Sequence, residues 1–128
     1  MYAAGVTVEI ISGVTVSLIA VNWVKHISLT SCPWDLAQFG GAAQYVSHWA
    51  WGISDGGAGH CFPSGHASSG YAFLALALPF LFAPSAQLQG RGRRIFYAAF
   101  LFGLVCGIAQ VLRGAHYPSH VLWTGLLC

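Results

Sequence analysis

From about Ala3 to Val24 the chain is apolar, broken only by Glu9, Asn22 and small residues, and Lys25 and His26 close the run. A helix needs about 20 such residues to cross a bilayer, so this stretch is read as a first span, A. Its start lacks a basic flank and its length suffices to span, which reads as a mature helix and not a cleavable signal. The chain then changes character, with Gly40, Gly41, Gly52, Gly56, Gly57 and Gly59 scattered among Trp34, Tyr45, Trp49 and Trp51. Aromatic rings favour the headgroup level, so this region reads as a loop on the membrane surface with a short interfacial helix around Leu36 to Trp51. Span B follows from about Ser68 to Ala83, with Pro63 and Ser64 where a helix start wants a fixed φ and a capping oxygen. Gln87 to Arg94 reads as a short polar connector, and span C runs from about Ile95 to Leu112. The last apolar run, Val121 to Cys128, is too short to cross and reads as the first turns of a fourth span, D.

The pattern predicts an all-α integral membrane bundle: one domain over residues 1–128, three full spans, the start of a fourth, and an interfacial loop or helix region. Composition agrees. Of 128 residues, 56% are hydrophobic and 6% charged, against about 45–50% and about 25% in soluble domains, and the mean hydropathy is +0.65. Five basic and three acidic side chains cannot cover a water-facing surface. The same figures exclude intrinsic disorder, and a net charge of +2 on almost no lysine argues against a nucleic-acid partner. Charge informs topology instead. Arg91, Arg93 and Arg94 are three of the five basic residues, so the positive-inside rule places the B–C connector in the cytoplasm. The end of A, the start of B and the end of C then share the opposite face. Cys32, Cys61, Cys106 and Cys128 are far apart, with no Cys-x-x-Cys, which indicates neither a zinc ribbon nor a redox motif.

Lys25, His60, Ser64, His66, Gln110, Arg113, His116 and His120 all fall at those three span ends. Ionisable side chains beside spans are costly unless paired or set at a water-filled site, so this cluster is a candidate functional site. Lysine and arginine among imidazoles point to an anionic ligand. In Phe62-Pro63-Ser64-Gly65-His66-Ala67-Ser68 the glycine permits close backbone approach, and a helix starting there aims free N–H groups at an anion. Equally, Pro-Ser-Gly serves as a turn and helix cap. His116 and His120, four apart, share a helical face and could hold a metal with His60 or His66, but the scarcity of nearby carboxylates weighs against zinc. Tyr117 and Trp123 read as interfacial packing.

Together these stretches resemble the type-2 phosphatidic acid phosphatase family, whose motifs read Lys-x6-Arg-Pro, Pro-Ser-Gly-His and Ser-Arg-x5-His-x3-Asp. Lys25 precedes Cys32-Pro33 at the first spacing, Pro63-Ser64-Gly65-His66 is intact, and Ala109-Gln110, His116 and His120 keep the third spacing. Cys32 stands where the family has arginine, Ala109-Gln110 where it has Ser-Arg, and His120 where it has aspartate. In the family's six-span fold the chain corresponds to spans three through the beginning of six, which reads as a member incomplete at both ends.

The resemblance implies a membrane phosphatase for a lipid phosphate or lipid diphosphate, working without a metal or other cofactor. His116 would attack phosphorus, giving a phosphohistidine, and His66 would protonate the leaving oxygen. His120 would orient His116 through a ring nitrogen, although a neutral imidazole stabilises a developing imidazolium less than a carboxylate does. Lys25, Arg113, Gln110 and the Ser64 and Gly65 amides would hold the phosphate. His60 and Ser68 are secondary candidates, while His26 and His48 read as interfacial bystanders. The expected setting is a bacterial inner (plasma) membrane, among membrane lipids, with the site on the periplasmic face; nothing fixes an oligomeric state. Competing readings are a catalytically degenerate or truncated protein of the same fold, and a histidine-rich metal-binding membrane protein. Cys32 and Cys61 fall on the outward face, where a disulfide would tie the first motif to the second. Free thiols are the alternative, and Cys106 reads as a packing residue inside span C.

Overall fold

The computed structural model describes residues 2–128 and is all-helical, with no strand among the described residues. Its α-helices are α1 (Tyr2–Ile27), α2 (Gly65–Tyr71), α3 (Leu78–Leu81), α4 (Ala86–Leu112) and α5 (Pro118–Leu127). Two of them, α1 and α4, are long and apolar enough to cross a membrane by length and composition. Val8, Ile11, Trp23, Phe100, Val105 and Leu112 project outward from them and are exposed. Such a surface suits lipid tails and not water.

Three features depart from the pattern-based expectation. Span B is not one α-helix: α2 begins at Gly65, tightens into a 3₁₀ stretch over Ala72–Leu76, and resumes as α3. Pro79 offers no N–H to the Ala75 carbonyl and its ring crowds that carbonyl, so a continuous α-helix cannot pass through it. Of the expected spans, α1 and α4 stand as long apolar helices, while the third stretch is broken into α2, the 3₁₀ segment and α3, and α5 has 10 residues. The polar connector is not a loop. Residues 87–94 form the first turns of α4, where Gln, Leu and Arg favour helix more than Gly90 and Gly92 oppose it, and the three arginines stay exposed.

The interfacial helix is absent as well. A 3₁₀ turn, Ala37–Phe39, ends at Gly40 with φ 94°, a backbone conformation that glycine adopts freely. The chain doubles back there, so Ala37 N–H donates to the Ala43 carbonyl (2.8 Å) and Ala43 N–H to the Asp35 carbonyl (2.9 Å). Beyond the turn the aromatic residues pack on the start of α5, Trp49 edge-on to Trp123 at 5.0 Å and Tyr45 edge-on to Tyr117 at 6.1 Å.

The buried face of α4 is a row of small residues, Gly92, Ala99, Gly103 and Gly107, ending in Gln110. Gly103 lies against Gly70 and the ring of the fully buried Tyr71, and Gly107 lies against Val121. Small residues at this spacing let helix backbones approach, which draws α2 and α5 onto the end of α4. Gly103→Leu is expected to drive its side chain into Tyr71 and part α2 from α4, at about 1–3 kcal/mol or more. Thermal unfolding in detergent should show the loss. Gly90→Ala, where an added Cβ meets nothing within 4 Å, should be neutral or mildly stabilising.

Two loop segments close over this end of the bundle. His60 N–H donates to the Ser28 carbonyl (2.8 Å) and Cys61 N–H to the Thr30 carbonyl (2.9 Å). The buried Asp55 carboxylate accepts from the Ser31 N–H, the Ser31 hydroxyl (2.8 Å) and the Gly57 N–H (3.0 Å). Burial raises the Asp55 pKa, but these donors outweigh it and hold the carboxyl below its ordinary range. Cys32 and Cys61 are joined in a disulfide, with Cα atoms 5.2 Å apart.

Candidate active site

The end of α1, the first turn of α2, the end of α4 and the segments around Cys32 and Ala115 enclose a cavity of about 440 Å³. It is lined by Asn22, Lys25, Cys32, Trp34, Gly65, His66, Ser69, Gln110, Arg113, Ala115 and His116, with no carboxylate among them. A larger space of about 640 Å³ lies between the start of α1 and α3, walled by apolar residues and Glu9. It lacks the convergent polar groups that mark a binding site.

His116 sits on a turn built by Gln110, whose carbonyl accepts from the N–H groups of Ala115 (2.9 Å) and His116 (3.3 Å), with Gly114 at φ 73°. The Gly114 carbonyl accepts from Trp34 N–H at 3.1 Å, and the Arg113 guanidinium lies over the Trp34 ring, 5.5 Å from its centroid. The His116 ring is buried, with Nδ1 3.4 Å from Cys61 Sγ. Burial, then the charges of Lys25 and His66, push its pKa down to about 4 against a hydrogen bond to the Cys61 backbone. At neutral pH it is an uncharged imidazole. The stem of Lys25 runs past Gly65, where a Cβ would be 3.9 Å from its Cδ and Cε. His66 is exposed on the first turn of α2, and Ser69, one turn on, donates its hydroxyl to the His66 carbonyl (2.6 Å).

Other residues singled out from the sequence lie off the cavity. Ser64 is fully buried: its N–H points to the His120 carbonyl (3.4 Å), its carbonyl accepts from Thr124 Oγ1 (3.1 Å), and its own hydroxyl has no partner. The Ser64 amide is thus turned away from the cavity. His120 is also fully buried, its Nδ1 donating to the Cys61 carbonyl at 3.1 Å and its Nε2 without a partner. Its ring stands edge-on to His116 with centroids 5.9 Å apart. It meets the backbone of Cys61 instead of orienting His116 through a hydrogen bond. Burial, then His116 and His48, push the His120 pKa down to about 3. His60 Nδ1 lies 3.2 Å from the Lys25 carbonyl and its ring stacks on His26, outside the cavity. Ser68 donates to the Gly65 carbonyl (2.6 Å). His48 packs against Phe62 at 4.8 Å and His120 at 5.4 Å, as part of the loop core.

Asn22, Trp34 and Ser69 were not anticipated as cavity residues. Asn22 is one helical turn before Lys25 and Ser69 one turn after His66, a spacing that shares a helix face and could have found both. Asp55, which pins the loop beside Cys32, carries no such signal. For metals, the atoms that converge among the described residues are Cys32 Sγ, Cys61 Sγ and a His116 ring nitrogen, within 4.8 Å of one another. Histidines 116 and 120 do not gather His60 or His66 into a ligand set. While the disulfide stands, the two sulfurs offer no thiolate.

No curated protein and no solved structure matches the chain. The PAP2 superfamily model does match it, over residues 6–128. That match takes in all three motif regions and every residue of the cavity wall, and the chain belongs to the PAP2 superfamily, whose members are generally phosphatases acting on phosphate-containing substrates.

Proposed function

We propose that the protein hydrolyses a lipid phosphate or lipid diphosphate through a phosphohistidine on His116, without a metal. The observation that carries this reading is the cavity, where two imidazoles, a lysine and an arginine converge with no carboxylate, at the ends of two membrane-length helices. Lys25 and Arg113 neutralise the phosphoryl oxygens, and Gln110 and the Gly65 N–H add neutral donors. His116 turns Nδ1 toward Cys61 Sγ; with the ring proton on that nitrogen, the Nε2 lone pair attacks phosphorus. His66 gives its proton to the departing oxygen, then takes one from the water that cleaves the P–N bond, so that alcohol and phosphate leave and both histidines are restored. Arg91, Arg93 and Arg94 near the opposite end of α4 support a cytoplasmic placement for that end and an outward-facing cavity. The disulfide suits an oxidising compartment.

Phosphate release from a panel of lipid phosphates and diphosphates, by the protein in detergent, tests the reading. Release should survive a chelator and stop with vanadate; no release from any substrate, or release that a chelator abolishes, would overturn it. The pH profile gives a second expected result. With a neutral residue at position 120, the acid limb of kcat/KM that belongs to His116 falls near pH 4. His120→Asp puts an anion beside His116, which favours the protonated ring and should move that limb up by about 1 unit or more. Profiles on one shared substrate isolate the difference, and an unmoved limb would show that no anion at position 120 acts on His116.

A further inference from the structure

We propose that Cys32, Cys61 and His116 form a soft-metal site that exists only when the disulfide is reduced, and that Zn²⁺ held there disables His116. The inhibitory half rests on the phosphatase reading; the metal site itself does not. The three ligand atoms already lie within 4.8 Å of one another, with Cys61 Sγ 3.4 Å from His116 Nδ1. Two thiolates at about 2.3 Å from a tetrahedral zinc stand about 3.8 Å apart, a spacing that side-chain rotation supplies from Cα atoms 5.2 Å apart. Hydrogen bonds hold the backbone at both cysteines besides the sulfur bond. Cys61 N–H donates to the Thr30 carbonyl, Cys32 N–H to Asp35 Oδ2, and Asp55 holds Ser31 next to Cys32. Cys32 and His116 both open on the cavity, so the fourth position is left to water, as in three-ligand zinc sites.

A dithiol reductant opens the site. Its thiolate attacks Cys32 Sγ, which faces the cavity, and not the fully buried Cys61. Cys61 leaves as a thiolate beside His116 Nδ1, and the second thiol of the reductant attacks the mixed disulfide and frees Cys32. Two electrons pass to the protein and the reductant departs as its own disulfide. Zinc then binds both sulfurs as thiolates, releasing the thiol protons to water, and replaces the proton on Nδ1 while the ring takes a proton from water on Nε2. A neutral imidazole bound through Nδ1 carries its proton on Nε2. The lone pair that would attack phosphorus is thereby lost.

Cobalt is the probe, added to the whole protein in detergent after reduction by a phosphine and its removal under anaerobic conditions. The reduced protein should bind one equivalent with a thiolate-to-cobalt charge-transfer absorption that Zn²⁺ displaces, and the oxidised protein should show none. His116→Ala should weaken binding by at least about tenfold. Cys32→Ser should abolish the band, with circular dichroism confirming its helices. Should that variant fail to fold, alkylating the thiols of the folded, reduced protein should abolish the band in its place. The site is overturned if the folded, reduced protein shows no thiolate band, or if His116→Ala binds cobalt as tightly as the unaltered protein. In parallel, Zn²⁺ should stop phosphate release by the reduced protein only, and a chelator should restore it. Metal binding with release intact would overturn the inhibitory half and leave the site standing.

Discussion

His116→Ala is expected to lower phosphate release by about 10⁴-fold or more, with the loss in kcat and little change in KM. In hydrolases that use a side-chain nucleophile, deleting it costs about 10⁶ in kcat, and the residual rate comes from the groups that still bind the substrate. Lys25, Arg113 and Gln110 sit on other turns and would remain in place. The expectation rests on the protonation state as much as on position. Burial keeps the ring uncharged down to about pH 4, so nearly every molecule carries a free nitrogen at neutral pH. His26→Ala is the matched control, because that ring is exposed and stacks on His60 outside the cavity; it should leave turnover within about twofold, as a surface change does. If His116→Ala retained most of the turnover while its helices were intact, the phosphohistidine would be excluded and a water activated elsewhere would have to replace it.

The long helices were legible because a lipid-facing helix carries its signal in every direction. Neither α1 nor the latter half of α4 needs a polar face, so unbroken apolarity over the right length was enough to find them. The same logic hid the start of α4. Gln87 to Arg94 are polar, and polarity alone suggests a connector although nothing in those residues breaks a helix. Between Gly65 and Ala83 the apolar content is equally compatible with α and 3₁₀ geometry, and Pro79 was the only local sign that the backbone must change course. At Leu36 to Trp51 the aromatic residues outweighed Gly40 and Gly41, yet the glycines decided the outcome. Gly40 takes a positive φ, and at Gly41 an added Cβ would overlap the Asp35 backbone.

The site divides along similar lines. Alternating spans bring the end of one helix beside the start of the next, so chain order alone puts Lys25, His66 and His116 at one end of the bundle, and they line one cavity. Chain order says nothing about which way a ring turns. His120 keeps the family spacing from His116, but its Nδ1 finds the Cys61 carbonyl, and the ring becomes part of the packing around Phe62 and His48. Cys61 was legible only as one half of a disulfide. Its sulfur in fact lies against His116 Nδ1, the side that His120 was expected to serve, a role set by a through-space approach across 55 residues.

His66→Ala is expected to cut kcat/KM by about 10²–10⁴-fold for lipid monophosphates, the range for loss of a general acid, and far less for lipid diphosphates. A monophosphate ester expels an alkoxide, which cannot leave at neutral pH without a proton, whereas a diphosphate expels a phosphate ester that is stable as an anion. The proposed mechanism assigns that proton to His66, which lines the cavity from the exposed first turn of α2. The other cavity imidazole, His116, is buried and would be bonded to phosphorus at that moment. The comparison belongs in kcat/KM, which ends at the first irreversible step, phosphoryl transfer to His116. In the proposed mechanism His66 would afterwards act as base toward water whatever the substrate was, so kcat should fall for both classes. In the variant a diphosphate should therefore phosphorylate the protein quickly and release it slowly, giving a burst of one equivalent of lipid product ahead of a slow steady state. Equal losses in kcat/KM on both classes, with no burst, would mean that His66 binds the phosphate instead of protonating the leaving group.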